Sequence, residues 1–186
     1  MKIVVIGASA GGSRALETLL SCLPADFSVP ILLVKHHDSG SGTDMVKWLH
    51  NRTTLDVHLA EDKEHIQAGS IIVAPPSYHL LLETDGSVSL SIDEPVMHAR
   101  PSLDVLFESA ALAFGDEVLC LVLTGASRDG AEGAEAIRKA GGKVYVQDPE
   151  TAEVPVMPRA ALGKSGAGFV LGLSDLTKKL LEFANE

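Results

Sequence analysis

MKIVVIGASAGG, residues 1–12, decides how the rest of the chain is read. Ile3, Val4, Val5 and Ile6 are four consecutive β-branched residues with no polar alternation, the pattern of a strand buried on both faces of a sheet. Gly7 stops the run, and a helical pattern begins at Ser13-Arg14-Ala15-Leu16-Glu17. Between them, Gly7-Ala8-Ser9-Ala10-Gly11 is a G-x-S-x-G at a strand-to-helix turn. In that context a tight elbow lifts a serine hydroxyl clear of a parallel sheet, beside the unpaired amides of a helix N-terminus. The small residues Ala8, Ala10 and Gly12 leave room for a substrate to reach the backbone.

Outward from this stretch the chain alternates strand and helix. Arg14–Cys22 reads as a helix closed by Pro24, and Pro30–Val34 as a second buried strand ending on Lys35-His36-His37-Asp38. Ser39–Gly42 is a Ser/Gly turn, with Thr43 placed to cap a helix over Asp44–Asn51. Leu55–Leu59 alternates as a half-exposed strand, and Ile71–Ala74 is a buried one stopped by Pro75-Pro76. Leu80–Thr84 and Ser87–Ile92 alternate around Asp85-Gly86, a hairpin signal that predicts an antiparallel appendage at one edge of the sheet. Arg100-Pro101-Ser102 opens an amphipathic helix carrying Leu103, Leu106, Phe107, Ala110 and Ala111. Then come a strand at Val118–Leu123, a loop at Thr124–Asp129 and a helix over Gly130–Ala140 ended by Gly141-Gly142. A strand at Lys143–Gln147 leads to a proline-rich loop, Asp148–Pro158. A short helix from Arg159, a strand near Gly168–Leu171 and a helix over Ser174–Ala184 finish the chain. The expectation is one domain over residues 1–186, a three-layer α/β/α sandwich around a mostly parallel, doubly wound sheet.

Composition excludes several classes. The formal net charge of −10 leaves no basic stripe for nucleic acid and disfavours an anionic membrane surface. Cys22 and Cys120 lack metal spacing and sit in apolar company, so they read as reduced, inert residues. One lysine and four apolar residues before a glycine do not make a signal peptide, and no apolar run approaches spanning length. A cytoplasmic location, no membrane insertion and a monomer are the expectations.

In such sheets ligands bind beyond the carboxyl ends of the strands, where the strand order reverses. Three reactive side chains stand just past strand ends: Ser9, His36 and Asp129. A serine hydroxyl becomes a nucleophile when a base within hydrogen-bond reach takes its proton, and a carboxylate fixes the tautomer of an imidazole base. Each residue also has a plainer reading. Ser9 fits a Gly-rich turn, His36 an ordinary polar strand end with His37 as competitor, and Asp129 the N-cap of the helix that follows. A metal at His37-Asp38 lacks H-x-x-x-H or C-x-x-C spacing, so no metal and no cofactor is expected. The glycines do not spell G-x-G-x-x-G, no Gly-Lys-Ser/Thr is present, and Lys35-His36 stand where a ribose-binding acid would end the second strand. A serine hydrolase of esterase type leads over nucleotide binding.

Several blocks together resemble the catalytic domain of the bacterial chemotaxis protein-glutamate methylesterase (CheB) family, over essentially the whole chain. They are VVIGASAGG, VKHH, IIVAPPSYHLLL, ARPSLDVLFESAA, LVLTGASRDGAEGAEAIRKAGG and QDPETAEVPVMPRAAL, in that order. The resemblance implies a Ser-His-Asp triad on Ser9, His36 and Asp129. Its implied substrate is a glutamate γ-methyl ester on the cytoplasmic helices of methyl-accepting chemoreceptors, with glutamine deamidation as a related activity. It further implies an oxyanion site from backbone amides near Ala10 and Ala126, and a border formed by His79, Arg100 and the Met157-Pro158-Arg159 turn.

The chain departs from the family pattern in places. Ala10 replaces a threonine beside the nucleophile, His37 stands where methionine is common, and Ala126-Ser127-Arg128 stand where Met, Gly and Asn are usual. Arg128 is expected to set a cation against the Asp129 carboxylate and weaken its hold on the imidazole. Family members commonly carry a receiver domain before this one. Met1 lies two residues before the first strand, so the expectation is either an excised catalytic domain or a stand-alone form, constitutively open or controlled by a separate regulatory protein. A non-catalytic or differently targeted relative that keeps the fold to bind a helical partner is the other reading.

Overall fold

The computed structural model describes residues 1–36, 42–166 and 169–186. Its strands are β1 (Ile3–Ala8), β2 (Ile31–Lys35), β3 (Asp56–Leu59), β4 (Ser70–Val73), β5 (His79–Leu82), β6 (Val88–Ser91), β7 (Val118–Val122), β8 (Lys143–Gln147) and β9 (Phe169–Leu171). Its helices are α1 (Gly12–Leu20), α2 (Gly42–His50), α3 (Leu103–Phe114), α4 (Ala131–Lys139), α5 (Val156–Ser165) and α6 (Leu173–Asn185).

Every residue of β1 is buried, because each face of the strand has its own core. Ile3 and Val5 pack with Leu103, Phe107, Ala134, Ile137 and Ala161 of α3, α4 and α5. Val4, Ile6 and Ala8 pack with Leu16, Leu19, Leu49, Leu176 and Phe183 of α1, α2 and α6. That division is the three-layer sandwich. The main sheet runs β3-β4-β2-β1-β7-β8-β9, and every pairing in it is parallel. The chain leaves β1 toward β2 on one side and returns at β7 on the other, so the order reverses at the carboxyl ends of β1 and β7. A crevice is expected there.

The hairpin β5–β6 is a two-stranded antiparallel sheet of its own. Its loop, Thr84-Asp85-Gly86, is closed by Glu83 N–H on the Ser87 carbonyl (2.8 Å), with Gly86 at φ 81. Val88 exchanges backbone hydrogen bonds with the Lys63–Glu64 segment just beyond edge strand β3, and Leu82 N–H donates to Ser109 Oγ of α3 (3.0 Å). The appendage therefore sits at the β3 edge, wedged against α3.

Some boundaries differ from the sequence reading. Thr43 lies inside the first turn of α2 and cannot be its cap. The loop after β8 is shorter than read, because Val156, Met157 and Pro158 already form the first turn of α5, where proline needs no N–H partner. His37, Asp38, most of the Ser39–Gly42 turn and Gly168 lie outside the described residues. Cys120 is buried in β7, where desolvation holds its thiol well above the ordinary range, while Cys22 is exposed. No described helix is long and apolar enough to cross a membrane.

Candidate active site

Three glycines let the β1–α1 turn form. A β-carbon on Gly7 would lie 2.1 Å from Leu103 Cδ2, so α3 rests directly on the end of β1. Gly11, at φ 75, makes the left-handed step before α1. On Gly12 a β-carbon would lie 2.8 Å from that of Ala8, so the new helix touches the strand it has just left. Ser9 is the residue between strand and turn. The left-handed step falls on Gly11, so the serine backbone carries no positive φ.

Parallel register brings the histidine to the serine. Ala8 pairs with Lys35, and His36 N–H extends the ladder to the Ala8 carbonyl at 3.0 Å. Ser9 and His36 are thus side by side, one step beyond the last rung. On its other side Ser9 N–H donates to the Thr124 carbonyl at 3.0 Å, which fastens it to the end of β7. The nucleophile candidate stands at the reversal of strand order.

Asp129 completes the group from the loop after β7, and it does not cap the helix that follows it. The residue before α4 is Gly130, with no side-chain cap. The Asp129 carboxylate instead fills the N-terminus of α3. Its Oδ2 accepts from His36 Nε2 (2.8 Å) and Leu103 N–H (2.7 Å). Its Oδ1 accepts from Ser102 Oγ (2.7 Å) and Asp104 N–H (3.0 Å). Burial alone would raise this carboxyl. The hydrogen bonds from His36, the Asp104 amide, Ser102 and the Leu103 amide outweigh it and hold Asp129 below the usual carboxylate range. An ionised carboxylate accepts only, so Nε2 of His36 donates this bond and Nδ1 is the ring nitrogen left for a second partner. Arg128 is exposed and makes none of the four hydrogen bonds to the Asp129 carboxylate.

Ser9 and His36 line a cleft of about 360 Å³ together with Met97, His98, Ala99, Arg100, Pro101, Ala126 and Ser127. Met97 and His98 form a two-residue turn closed by Val96 and Ala99, both in the left-handed region (φ 48 and 66). Neither is glycine, so the turn is strained where it borders the cleft. Arg100 Nη1 donates to the carbonyls of Ile92 (2.9 Å) and Asp93 (3.0 Å), and its buried Nε finds no acceptor among the described residues.

The remaining residues singled out in the sequence divide between cleft and support. Ala126 is exposed on the cleft wall, and the Ala10 carbonyl accepts from Thr124 Oγ1 (2.9 Å). Met157 is buried beneath the loop, its N–H bonded to the Gly125 carbonyl at 2.9 Å. It supports the cleft wall without lining it. His79 is also buried away from the cleft. Its Nδ1 accepts from Ser102 N–H (3.2 Å) and its Nε2 donates to the Glu94 carbonyl (3.1 Å), so it steadies the residue that donates to Asp129.

Two participants escape the sequence reading. Ser102 was legible as a helix opener, but that its hydroxyl turns to Asp129 was not. Asp104 gives no signal in the sequence. It is buried, and desolvation pushes its carboxyl up to about 6; the amides of Gly133 and Gly130 oppose that rise, while the charge of Asp129 adds to it. Among the described residues there is no group of three or more His, Cys, Asp or Glu that could hold a metal ion.

A parallel α/β sandwich with a serine, an imidazole and a buried carboxylate near its strand-order reversal has the make-up of a hydrolase. More narrowly, the chain belongs to the CheB methylesterase family, whose profile matches residues 4–180. A putative protein-glutamate methylesterase/protein-glutamine glutaminase of Leptospira interrogans is 43% identical over 175 residues, covering 94% of this chain and 91% of that one. A protein-glutamate methylesterase/protein-glutamine glutaminase of Nitrosospira multiformis is 37% identical over 185 residues, which are 100% of this chain but 52% of that longer one. The crystal structure of the Thermotoga maritima CheB methylesterase catalytic domain superposes with a TM-score of 0.92 at 34% identity, covering 97% of both chains.

Proposed function

We propose that the chain hydrolyses glutamate γ-methyl esters on the cytoplasmic helices of methyl-accepting chemoreceptors, and deamidates glutamine by the same acyl chemistry. The observation that carries the reading is the His36–Asp129 bond at 2.8 Å, made beside Ser9 on the neighbouring strand. In this reading Ser9 Oγ attacks the ester carbonyl carbon while its proton passes to His36 Nδ1. Asp129 holds the other nitrogen and offsets the imidazolium charge. The oxyanion is received by backbone amides at Ala10 and Ala126, each donor contributing about 3 kcal/mol. Collapse of the tetrahedral intermediate expels methanol, which takes the proton from His36. Water then repeats the sequence and leaves a glutamate. Arg100 is the substrate contact of the cleft wall, and Met157 and His79 act behind it. The setting is cytoplasmic and the enzyme works as a monomer.

Methanol release from methylated receptor helices tests substrate and chemistry together. The wild-type protein should release it and should be labelled at Ser9 by a reactive-serine probe. Ser9→Ala and His36→Ala should each lower turnover by about 10³-fold or more. A wild-type protein that neither reacts with the probe nor turns over any ester would overturn the reading in favour of a module that binds a helical partner.

A further inference from the structure

Two helix N-termini at the rim cap each other crosswise. Asp129 precedes α4 yet serves α3. Asp104 lies in the first turn of α3 yet serves α4, its Oδ1 accepting from the amides of Gly130 (2.9 Å) and Gly133 (2.8 Å). The Asp104 amide returns a bond to Asp129 Oδ1 at 3.0 Å. Gly130, at φ 97, turns its amide inward to make this contact. The helices are in close contact here: a β-carbon on Gly133 would lie 2.5 Å from Phe107 Cβ and 3.0 Å from the Asp104 carbonyl oxygen. The loop after β7 is held at its near end by Thr124 and Gly125. Its far end, which carries Asp129, is held by Asp104.

We propose that Asp104 is a positioning residue for ester hydrolysis: by gripping the Gly130 and Gly133 amides it fixes Asp129, and through Asp129 the imidazole of His36. The proposal rests on the Ser9–His36–Asp129 reading. Asp104 is buried and outside the cleft lining, so it acts without touching substrate. Both amides meet a single oxygen, and the role is therefore one of geometry that an amide oxygen can also fill. A misplacement of about 1 Å at a catalytic group is enough to cost on the order of 10²-fold in rate.

The test uses the full chain and two substitutions. Asp104→Asn keeps an acceptor oxygen in place and should retain kcat within about threefold. Asp104→Ala removes it and should lower kcat by about 10²-fold with KM within about threefold of wild type. The Ala variant should also lose the low-field proton resonance of His36 Nε2 that marks its bond to Asp129. If Asp104→Ala only lowers the thermal midpoint, while kcat and that resonance persist well below it, the role is structural and the proposal falls. It falls too if Asp104→Asn loses as much turnover as Asp104→Ala. Amide exchange in the wild-type protein supplies a test that needs no variant to fold. The Gly130 N–H should exchange at least about 10²-fold more slowly than an unprotected amide, and exchange at the unprotected rate would remove the anchor. Wild-type turnover in Ser9→Ala would instead remove the triad reading, a result separate from any obtained at Asp104.

Discussion

Asp129 shows why a carboxylate, and not merely a polar group of its shape, occupies this position. Four donors converge on its two oxygens, two on each: His36 Nε2 and Leu103 N–H on Oδ2, Ser102 Oγ and Asp104 N–H on Oδ1. An asparagine has one acceptor oxygen and one NH₂ group. Whichever way it is placed, the NH₂ faces a backbone N–H, from Leu103 or from Asp104, that cannot reverse its role. If the NH₂ turns toward His36, the ring can accept only by moving its own proton to the nitrogen meant to deprotonate Ser9. Asp129→Asn should therefore lower kcat by on the order of 10³-fold or more, and should cost about 1–3 kcal/mol of stability by stranding a buried donor. Ester turnover and urea unfolding check the two effects separately. A variant with wild-type kcat would show that the bond between His36 and Asp129 is not part of the chemistry.

At the scale of elements, the loop after β7 meets the elbow after β1 with no spare room. A β-carbon on Gly125 would lie 2.8 Å from Ser9 Cβ and 2.8 Å from both Sδ and Cε of Met157. Gly125 is also fixed along its backbone, donating to the Val154 carbonyl at 3.0 Å and accepting from Met157 N–H at 2.9 Å. The end of the methionine can yield, but Ser9 is fastened to the end of β7 by its N–H on the Thr124 carbonyl and to the first turn of α1 by its carbonyl on Gly12 N–H. Gly125→Ala should displace the serine. The expected result is a loss of kcat of about 10-fold or more, with about 1–3 kcal/mol of destabilisation from overpacking. Wild-type turnover in that variant would mean the two loops are not mutually fixed. The elements themselves were largely legible in the sequence. Strands such as Ile3–Ile6 and Val118–Leu123 are unbroken apolar runs because both faces meet helices, a requirement written residue by residue. Ser9, His36 and Asp129 were legible for the same reason, as reactive residues just past strand ends. What was not legible is what the fold assembles from distant segments. Val156–Pro158 read as loop because proline at a helix start resembles proline in a turn. Asp129 also carried a plainer reading as a cap for the helix after it, because local order cannot show that a helix opening at Leu103 lies closer. Asp104 and the Met97-His98 turn have roles that exist only once those helices and loops meet.

The whole molecule carries the consequence of packing two carboxylates at one junction of α3 and α4. They are displaced in opposite senses: Asp129 below its ordinary value by its hydrogen bonds against burial, Asp104 up to about 6 by burial, with Asp129 and Glu108 nearby adding charge repulsion. Linkage turns each displacement into a pH dependence of opposite sign. Asp129 binds its proton less readily folded than unfolded, so its contribution is present above about pH 4 and is lost as pH falls through its lowered folded value. Asp104 binds its proton more readily folded than unfolded. Its protonated form favours the fold, and stability from this group is lost as pH rises from about 4 through 6. At neutral pH the fold therefore bears the cost of keeping Asp104 ionised, on the order of 2–3 kcal/mol for a displacement of this size. Asp104→Asn keeps an acceptor for the two glycine amides and removes the charge, so comparing it with wild type reads that cost together with the repulsion Asp104 shares with Asp129 and Glu108. Urea midpoints measured from pH 7.5 down to 4 should show the wild type gaining stability relative to Asp104→Asn through pH 6 and below. The gain should level off near pH 4, where Asp104 protonates in the unfolded chain as well. A difference that stays flat across that range would mean that the Asp104 carboxyl titrates alike in the folded and unfolded chain, and that the junction tolerates two adjacent charges without penalty.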